Sequence, residues 1–211
     1  MKRFFLFNST PSYTLVASNS GHGSAGSGTV VVTGITAGVT LIVVPIAASS
    51  AEIVTDSKGN TYSYTTTFGS GVTIRIGYCV NPTTASSMTF TITGGAWTAW
   101  PSLWTSASTP TPALDQSNGN NAIIQSSIAT GAITPTQNNE LIIAASTTGT
   151  GSTGSPGAVT GYTLVHIPFV LGVSQGLAIY YKSQTTLQTE NVTFAGSNMK
   201  YYGAIITSFI N

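Results

Sequence analysis

The stretch VTIRIGYCV, residues 72–80, indicates which secondary structure the chain favours. Its apolar residues Ile74, Ile76 and Tyr78 alternate with polar or small ones, and this strict alternation predicts a half-buried β-strand. The stretch LIVVPIAA, residues 41–48, is apolar throughout, which predicts a strand covered on both faces. Elsewhere short β-rich runs are separated by Gly, Ser, Asn and Pro, and helical periodicity is absent. The sequence therefore predicts an all-β protein.

The second half of the sequence repeats the first in the same order. Residues 29–50 (TVVVTGITAGVTLIVVPIAASS) are echoed by residues 127–147 (SIATGAITPTQNNELIIAAST), and VTIRIGYCV is echoed by QGLAIYYKS at residues 175–183. Such self-similarity is typical of a repeated structural unit. Each copy has the length of a β-sandwich of jelly-roll or immunoglobulin-like type.

We therefore expect two tandem β-sandwich lobes, 12–108 and 113–211. An N-terminal arm, 1–11, precedes them, and a proline linker, 109–112, joins them. The alternative is one larger jelly roll whose two halves interleave.

Charge is scarce in this chain. Only 5% of the residues are charged and the net charge is +1, against about 25% charged residues in an ordinary soluble protein. No basic patch suited to a phosphate backbone is present, so nucleic acid is not an expected partner. The apolar runs are shorter than the ~20 residues of a membrane-spanning helix, so we expect no membrane association.

The beginning of the chain, MKRFFLFNSTPS, resembles a signal peptide, but its apolar run ends at Asn8. A signal peptide has an apolar region of about 7–15 residues. We therefore expect a protein made in the cytoplasm of its producer without a signal peptide. Cys79 is the single cysteine, which excludes a disulfide framework within the chain.

Two glycine-rich strings have the spacing of a nucleotide-binding loop. GHGSAGSG at residues 21–28 and GTGSTG at residues 149–154 both contain G-x-G-x-x-G. A phosphate loop needs a helix after it, and both strings are followed by strand-like sequence. We interpret both as turns between strands.

Catalytic chemistry has few candidate residues. The chain has two histidines, His22 and His166, five acidic residues, and no G-x-S-x-G nucleophile motif. The sequence therefore predicts that the protein is not an enzyme and has no catalytic residues, no cofactor and no metal site. In TDSKGNTY, residues 55–62, Asp56 favours a turn; calcium binding by Asp56 and Asn60 is the alternative, and it would need six to eight oxygen ligands.

Three segments together resemble a known module. VTDSKGNTYSY (residues 54–64), ALDQSNGNN (113–121) and NNELIIAAS (138–146) resemble a β-sandwich module of bacteriophage virion proteins and bacterial surface proteins. The resemblance implies a β-sandwich with a structural or adhesive role and without catalytic residues.

Aromatic residues are the candidates for subunit contacts. The tryptophans of GGAWTAWPSLW, residues 94–104, fill a core, contact another subunit or bind a sugar ring. The arm has apolar side chains on both faces, so it packs on its own lobe or adds to the sheet edge of a neighbour. The candidate subunit interface consists of Phe4, Phe5, Phe7 and Trp97.

These observations favour a bacteriophage virion structural protein: a capsid decoration, minor capsid or tail-associated subunit. It would be made in the host cytoplasm, and its partners would be copies of itself and other virion proteins, because uncharged surfaces suit permanent packing. The alternative is a carbohydrate-binding or host-adhesion module whose loops, such as DQSNGNN at residues 115–121, grip a glycan. An esterase or lyase is disfavoured by the few histidines and acids.

Overall fold

The computed structural model describes residues 13–24, 26–49, 52–106, 111–171 and 175–211. These ranges contain β-strands and no helix, so the all-β prediction is confirmed for them. The strands of the first half are β1 (Tyr13–Ser18), β2 (Gly21–Gly23), β3 (Gly26–Thr33), β4 (Leu41–Ala48), β5 (Ile53–Asp56), β6 (Ser63–Tyr64), β7 (Thr73–Val80), β8 (Ser87–Gly94), β9 (Trp97–Ala99) and β10 (Ser102–Ser106). Those of the second half are β11 (Ala113–Gln125), β12 (Ser127–Ala129), β13 (Glu140–Thr148), β14 (Thr163–Ile167), β15 (Gly176–Gln184), β16 (Thr193–Ala195) and β17 (Tyr201–Ile210).

The strands form four antiparallel sheets. Sheet A has the order β1-β10-β4-β7-β6, with β9 also paired to β4 and β2 paired to β9. Sheet B has the order β3-β8-β5, sheet C the order β11-β17-β13-β15-β14, and sheet D consists of β12 and β16. Within the described ranges, each sheet draws all its strands from one half of the chain. The interleaved strand pairing of the alternative prediction is therefore not found in these ranges.

The four sheets are stacked in the order B, A, C, D. One cluster of buried side chains lies between sheets B and A, and another lies between sheets C and D. A third cluster contains residues of both halves and lies between sheets A and C. Sheets A and C are thus internal layers, and the two halves of the chain share a core.

The central strand β4 is covered on both faces, as its sequence predicts. Leu41 and Val43 belong to the cluster between sheets A and C, whereas Ile42 and Val44 belong to the cluster between sheets A and B. All eight residues of β4 are buried.

The neighbouring strand β7 forms as predicted, but it is not half-buried. Its second face is covered by sheet B: Cys79 is buried against that sheet, and a Cβ on Gly77 would lie 3.7 Å from Val54 of β5. Within sheet A, the Arg75 guanidinium lies 4.1 Å from the centre of the Tyr64 ring of β6. Burial raises the pKa of the Cys79 thiol, and the nearby Asp56 adds to this shift.

Aromatic contacts join sheets A and C. The ring of Trp100 is stacked on Tyr181 with centroids 5.7 Å apart, and Trp104 meets the same tyrosine edge-on at 5.2 Å. The Tyr13 hydroxyl donates a 2.6 Å hydrogen bond to the carbonyl oxygen of Ile210. The first strand of one half is therefore tied to the last strand of the other. The predicted arm, 1–11, lies outside the described residues, as do residues 109 and 110 of the predicted linker.

Candidate functional site

The first glycine string makes room for Trp97. Gly21–Gly23 forms β2, and Gly26, which has φ +73°, begins β3. A Cβ on Gly23 would lie 2.8 Å from Trp97 Nε1, and one on Gly28 would lie 2.7 Å from Trp97 Cζ2. Most of the string therefore lies in β2 and β3, so its interpretation as a turn between strands is wrong for residues 21–23 and 26–28. The second string leads into a loop, where a Cβ on Gly149 would lie 2.7 Å from the Tyr202 ring.

The tryptophans fill cores. Trp97 is 1% exposed in the cluster between sheets A and B, and Trp100 and Trp104 lie in the cluster between sheets A and C. Trp97 is therefore enclosed by its own chain and is not available as a surface anchor for another subunit. The other candidate interface residues, Phe4, Phe5 and Phe7, lie outside the described residues.

The segment around Asp56 is a turn, as predicted. The Asp56 carboxylate accepts hydrogen bonds from the backbone N–H of Lys58 (2.8 Å), from Asn60 Nδ2 (2.9 Å) and from the Tyr62 hydroxyl (2.7 Å). Burial raises the pKa of Tyr62, and its bond to Asp56 adds to this shift. Both oxygens of Asp56 serve the turn, and Asn60 is one of its donors, so these contacts favour the turn over the calcium alternative.

Ionisable groups gather on the face of sheet C that is turned towards sheet D. Glu190 is bonded to Lys182 Nζ at 2.6 Å and accepts a 2.7 Å bond from the Tyr162 hydroxyl. On the same face, Ser208 Oγ donates a 3.4 Å bond to Asp115, and the buried Glu140 accepts a 2.9 Å bond from the backbone N–H of Gln137. Sequence reasoning treated these acids as scattered, because only the pairing of distant strands brings them together.

The histidines lie elsewhere. His22 is exposed on β2, and His166 is partly buried on β14, where burial lowers its pKa. In the described part of the chain, no three or more His, Cys, Asp and Glu side chains are grouped so that they could hold a metal ion.

An open cleft lies where a loop of the first half meets the second half. Its volume is about 830 Å³, and it is lined by Gly69, Ser70, Asn120, Asn121, Ala122, Ile123, Gln125, Ser127, Ile128 and Ala129. The backbone N–H of Gly69 donates a 2.6 Å bond to Asn121 Oδ1, which holds the loop against β11. The lining has amides, hydroxyls and aliphatic groups but no charge, so the cleft suits a neutral polar ligand.

The rim of this cleft carries exposed and strained residues. Ile123 is 73% exposed, and Ile124 has φ +51°, a conformation that β-branched residues rarely adopt. The prediction that DQSNGNN forms a loop is wrong, because these residues lie within the thirteen-residue strand β11. Sequence reasoning identified Asn120 and Asn121 as a possible ligand surface but had no signal for Gly69 and Ser70.

The outer face of sheet B, which we call the threonine face, is also uncharged. In its centre Thr91 of β8 is flanked by Thr29 of β3 and Thr55 of β5. Every outward side chain of this sheet is Thr, Ser, Val or Ile, and Ile53 is 59% exposed. The full set is Ser27, Thr29, Val31, Thr33, Ile53, Thr55, Ser87, Thr89, Thr91 and Thr93. The spacing T-x-T-x-T at residues 89–93 is the sequence signal for this face.

Comparisons with known proteins add no further assignment. The chain matches no protein-family model and shows no significant similarity to any curated protein or solved structure. No helix in the described ranges is long and apolar enough to cross a membrane.

Proposed function

We propose that the chain is a non-enzymatic structural subunit of a bacteriophage virion and acts by assembling with further copies of itself and with other virion proteins. It would be made in the host cytoplasm and become part of the virion. The observation that carries the proposal is the threonine face, a three-stranded sheet surface without a single charged side chain.

Assembly suits this surface for a physical reason. Hydroxyl and methyl groups lose water at lower cost than charged groups do, and the centres of protein interfaces are depleted in Lys, Glu and Asp. A second copy of the same face brings no like charges together, so the face can pack on itself about a two-fold axis. Sheets A and C already pack face to face within the chain.

A single lysine in the middle of this face tests the proposal. Thr91→Lys would place a charge at the centre of the interface, where its desolvation is unfavourable. We expect the oligomer of the parent protein to dissociate to a species of 21.6 kDa, measured by light scattering on a sizing column.

The matched control is Thr36→Lys, which adds the same charge at an exposed position outside the face. This control should keep the mass of the parent. If Thr91→Lys also keeps that mass, with its circular dichroism spectrum unchanged, the threonine face is not a subunit contact.

The second candidate function is carbohydrate binding or host adhesion. The observation that favours it is the uncharged cleft with Asn120, Gln125 and Ser127 in its lining. Amide and hydroxyl groups are suitable partners for sugar hydroxyls. A glycan array tests it: binding that Gln125→Ala weakens would favour this function, and the absence of binding by the parent would exclude it for the sugars on the array.

We further propose that the two halves are copies of one unit, 12–108 and 113–211. Two observations support this. In sheet A, the first strand of its half, β1, pairs with the last, β10, and β10 pairs with the inner strand β4. In sheet C, β11, β17 and β13 are arranged in the same way. Tyr62 and Tyr162, which correspond in the sequence repeat, both donate a hydrogen bond to a carboxylate, Asp56 and Glu190.

A further inference from the structure

Four neighbouring strands of sheet C bring oxygen-bearing side chains together at one end of the sheet. Asp115 lies on β11, Ser208 on β17, Glu140 on β13 and Gln184 on β15, and these strands are consecutive in the sheet. Glu140 is directly opposite Gln184, so their Cβ atoms are about 4.5–5.5 Å apart. Asp115 is the extra residue of a bulge, which turns its carboxylate towards Ser208.

The side chains share one face. By the two-residue period of a strand, Glu140, Gln184 and Ser208 lie on the same side as Ile142, Tyr180 and Ile206. Those three apolar residues belong to the cluster between sheets C and D. The row of oxygens therefore continues that cluster towards the end of the sheet.

Two oxygens in this row lack a partner although they are buried. Glu140 is 0% exposed and Gln184 is 3% exposed. Neither Glu140 Oε2 nor Gln184 Oε1 has a hydrogen-bond donor. A buried acceptor without a donor is costly, and these two belong to directly opposed residues of adjacent strands, so the site suits a positively charged or donating group.

Lys182, a cation on this face, is already engaged. Lys182 lies two residues before Gln184 on β15, and its Nζ is bonded to Glu190 at 2.6 Å. Burial raises the pKa of Glu140, hydrogen bonding from Ser208 and from the backbone N–H of Gln137 opposes this shift, and the neighbouring Asp115 carboxylate adds to it. The two carboxyl groups are thus close enough to disfavour each other's charge.

Neighbouring groups hold the carboxylates in place. The backbone N–H and Oγ1 of Thr136 each donate a 2.8 Å bond to Asp115, and the backbone N–H of Gln137 donates a 2.9 Å bond to Glu140 Oε1. Bonds of this kind orient ligating side chains at metal sites. Asp115 Oδ1 and Glu140 Oε1 each accept one of these bonds and keep a second lone pair for a ligand, whereas Asp115 Oδ2 accepts from both the Thr136 N–H and Ser208 Oγ.

We propose that Asp115, Glu140, Gln184 and Ser208 bind a divalent cation, and that this cation is Ca²⁺. The four side chains supply six oxygens and no nitrogen or sulfur ligand, which is the donor set of hard cations. Ca²⁺ takes six to eight oxygens in variable geometry, whereas Mg²⁺ demands a near-ideal octahedron and retains several waters. The site has two carboxylates only, completed by an amide and a hydroxyl.

The test is a Ca²⁺ titration of the full chain after dialysis against EDTA. We expect saturable binding in calorimetry and, at about a hundredfold excess over Kd, a rise in Tm of roughly 5–10 °C. NaCl of equal ionic strength should not produce this rise. Glu140→Gln and Asp115→Asn should abolish both responses, and Gln184→Met, which leaves both carboxylates in place, should weaken the binding.

The matched control is Asp56→Asn, which removes a carboxylate from the turn at residues 56–62. This variant should keep the Ca²⁺ response. The proposal is overturned if the parent shows neither heat of binding nor a rise in Tm, or if all variants respond as the parent does. The parent titration decides even if a variant fails to fold.

A proton shared by Glu140 and Asp115 is the competing explanation, and it has a distinct signature. A carboxyl group whose pKa is raised in the folded state stabilises the fold below its unfolded pKa of about 4.3, and this contribution is lost as the pH rises through the folded pKa. The free energy of unfolding of the parent would then fall with rising pH, that of Glu140→Gln would not, and Ca²⁺ would have no effect. This combination would assign the site to a shared proton and not to a cation.

Discussion

At the scale of single residues, the glycines of GHGSAGSG are explained by what they touch. Gly23 and Gly28 lie against the indole of Trp97, where a Cβ would come within 3 Å of the ring. Among the four glycines of this string, which are all described, only Gly26 has a positive φ. The sequence spacing predicted a turn, but it could not show the contact with Trp97, because that residue is about seventy positions further along the chain.

Gly28→Ala tests this explanation. The added methyl group would collide with Trp97, which is buried and has little freedom to move, so we expect a loss of about 1–3 kcal/mol in the free energy of unfolding. The measurement is urea denaturation. The control is Gly157→Ala, where the new Cβ would lie 3.5 Å from the nearest atom, an ordinary contact. Equal effects of the two substitutions would refute the role of Gly28.

At the scale of secondary-structure elements, the sequence predicts best the strands with an unmistakable pattern. The apolar stretch of β4 indicated burial on both faces, and the alternation at residues 72–80 indicated a strand; both strands form. The burial of the second face of β7 could not be predicted, because Arg75 is charged and Gly77 has no side chain, which is typical of an exposed face. The sheet that covers them comes from residues distant in the sequence.

The strand β11 was not predicted from the sequence. Its Asp, Ser, Asn and Gly residues disfavour strands, so the sequence indicated a loop. The structure pairs it with β17 from Ala113 to Gln125, with two irregularities in register, and this long-range pairing overrides the local preference. The cleft next to it was missed for the same reason.

The two-sided burial of β4 makes a prediction at this scale. The side chains of Leu41 and Ile42 lie on opposite faces of β4. Leu41→Ala and Ile42→Ala should each lower the free energy of unfolding by about 2–5 kcal/mol, because each leaves a cavity in a core. Strand β8, in the outer sheet B, is the control: Phe90→Ala should be costly, whereas Thr91→Ala on the outward face should change stability by no more than about 0.5 kcal/mol. A large loss of stability for only one of the two β4 variants, with little effect of the other, would contradict the four-layer arrangement.

At the scale of the whole molecule, the stacking of sheets A and C is the feature that no local pattern predicted. The sequence repeat suggested lobes joined by a linker, each with its own core. The structure adds a third core, in which Trp100 and Trp104 of one half surround Tyr181 of the other. The contact between the two sheets depends on side chains about eighty residues apart in the sequence. Composition and periodicity therefore cannot predict which faces meet.

The distribution of charge over the whole molecule bears on the proposed function. Most acids of the chain are engaged in turns or in the row on sheet C, and the outer sheet surface is left without charge. A protein built in this way depends little on charge for its surface, and subunit packing is the use to which such a surface is suited. We propose that the N-terminal arm, with Phe4, Phe5 and Phe7, supplies further apolar area for that packing.

The most direct test is the absolute mass of the purified protein in solution, measured by light scattering with and without residues 1–11. We predict an assembly of several 21.6 kDa chains that becomes smaller when the arm is removed. A single chain in both samples, at concentrations up to the millimolar range used for weak contacts, would contradict function by self-assembly and would leave glycan binding at the cleft as the function to test.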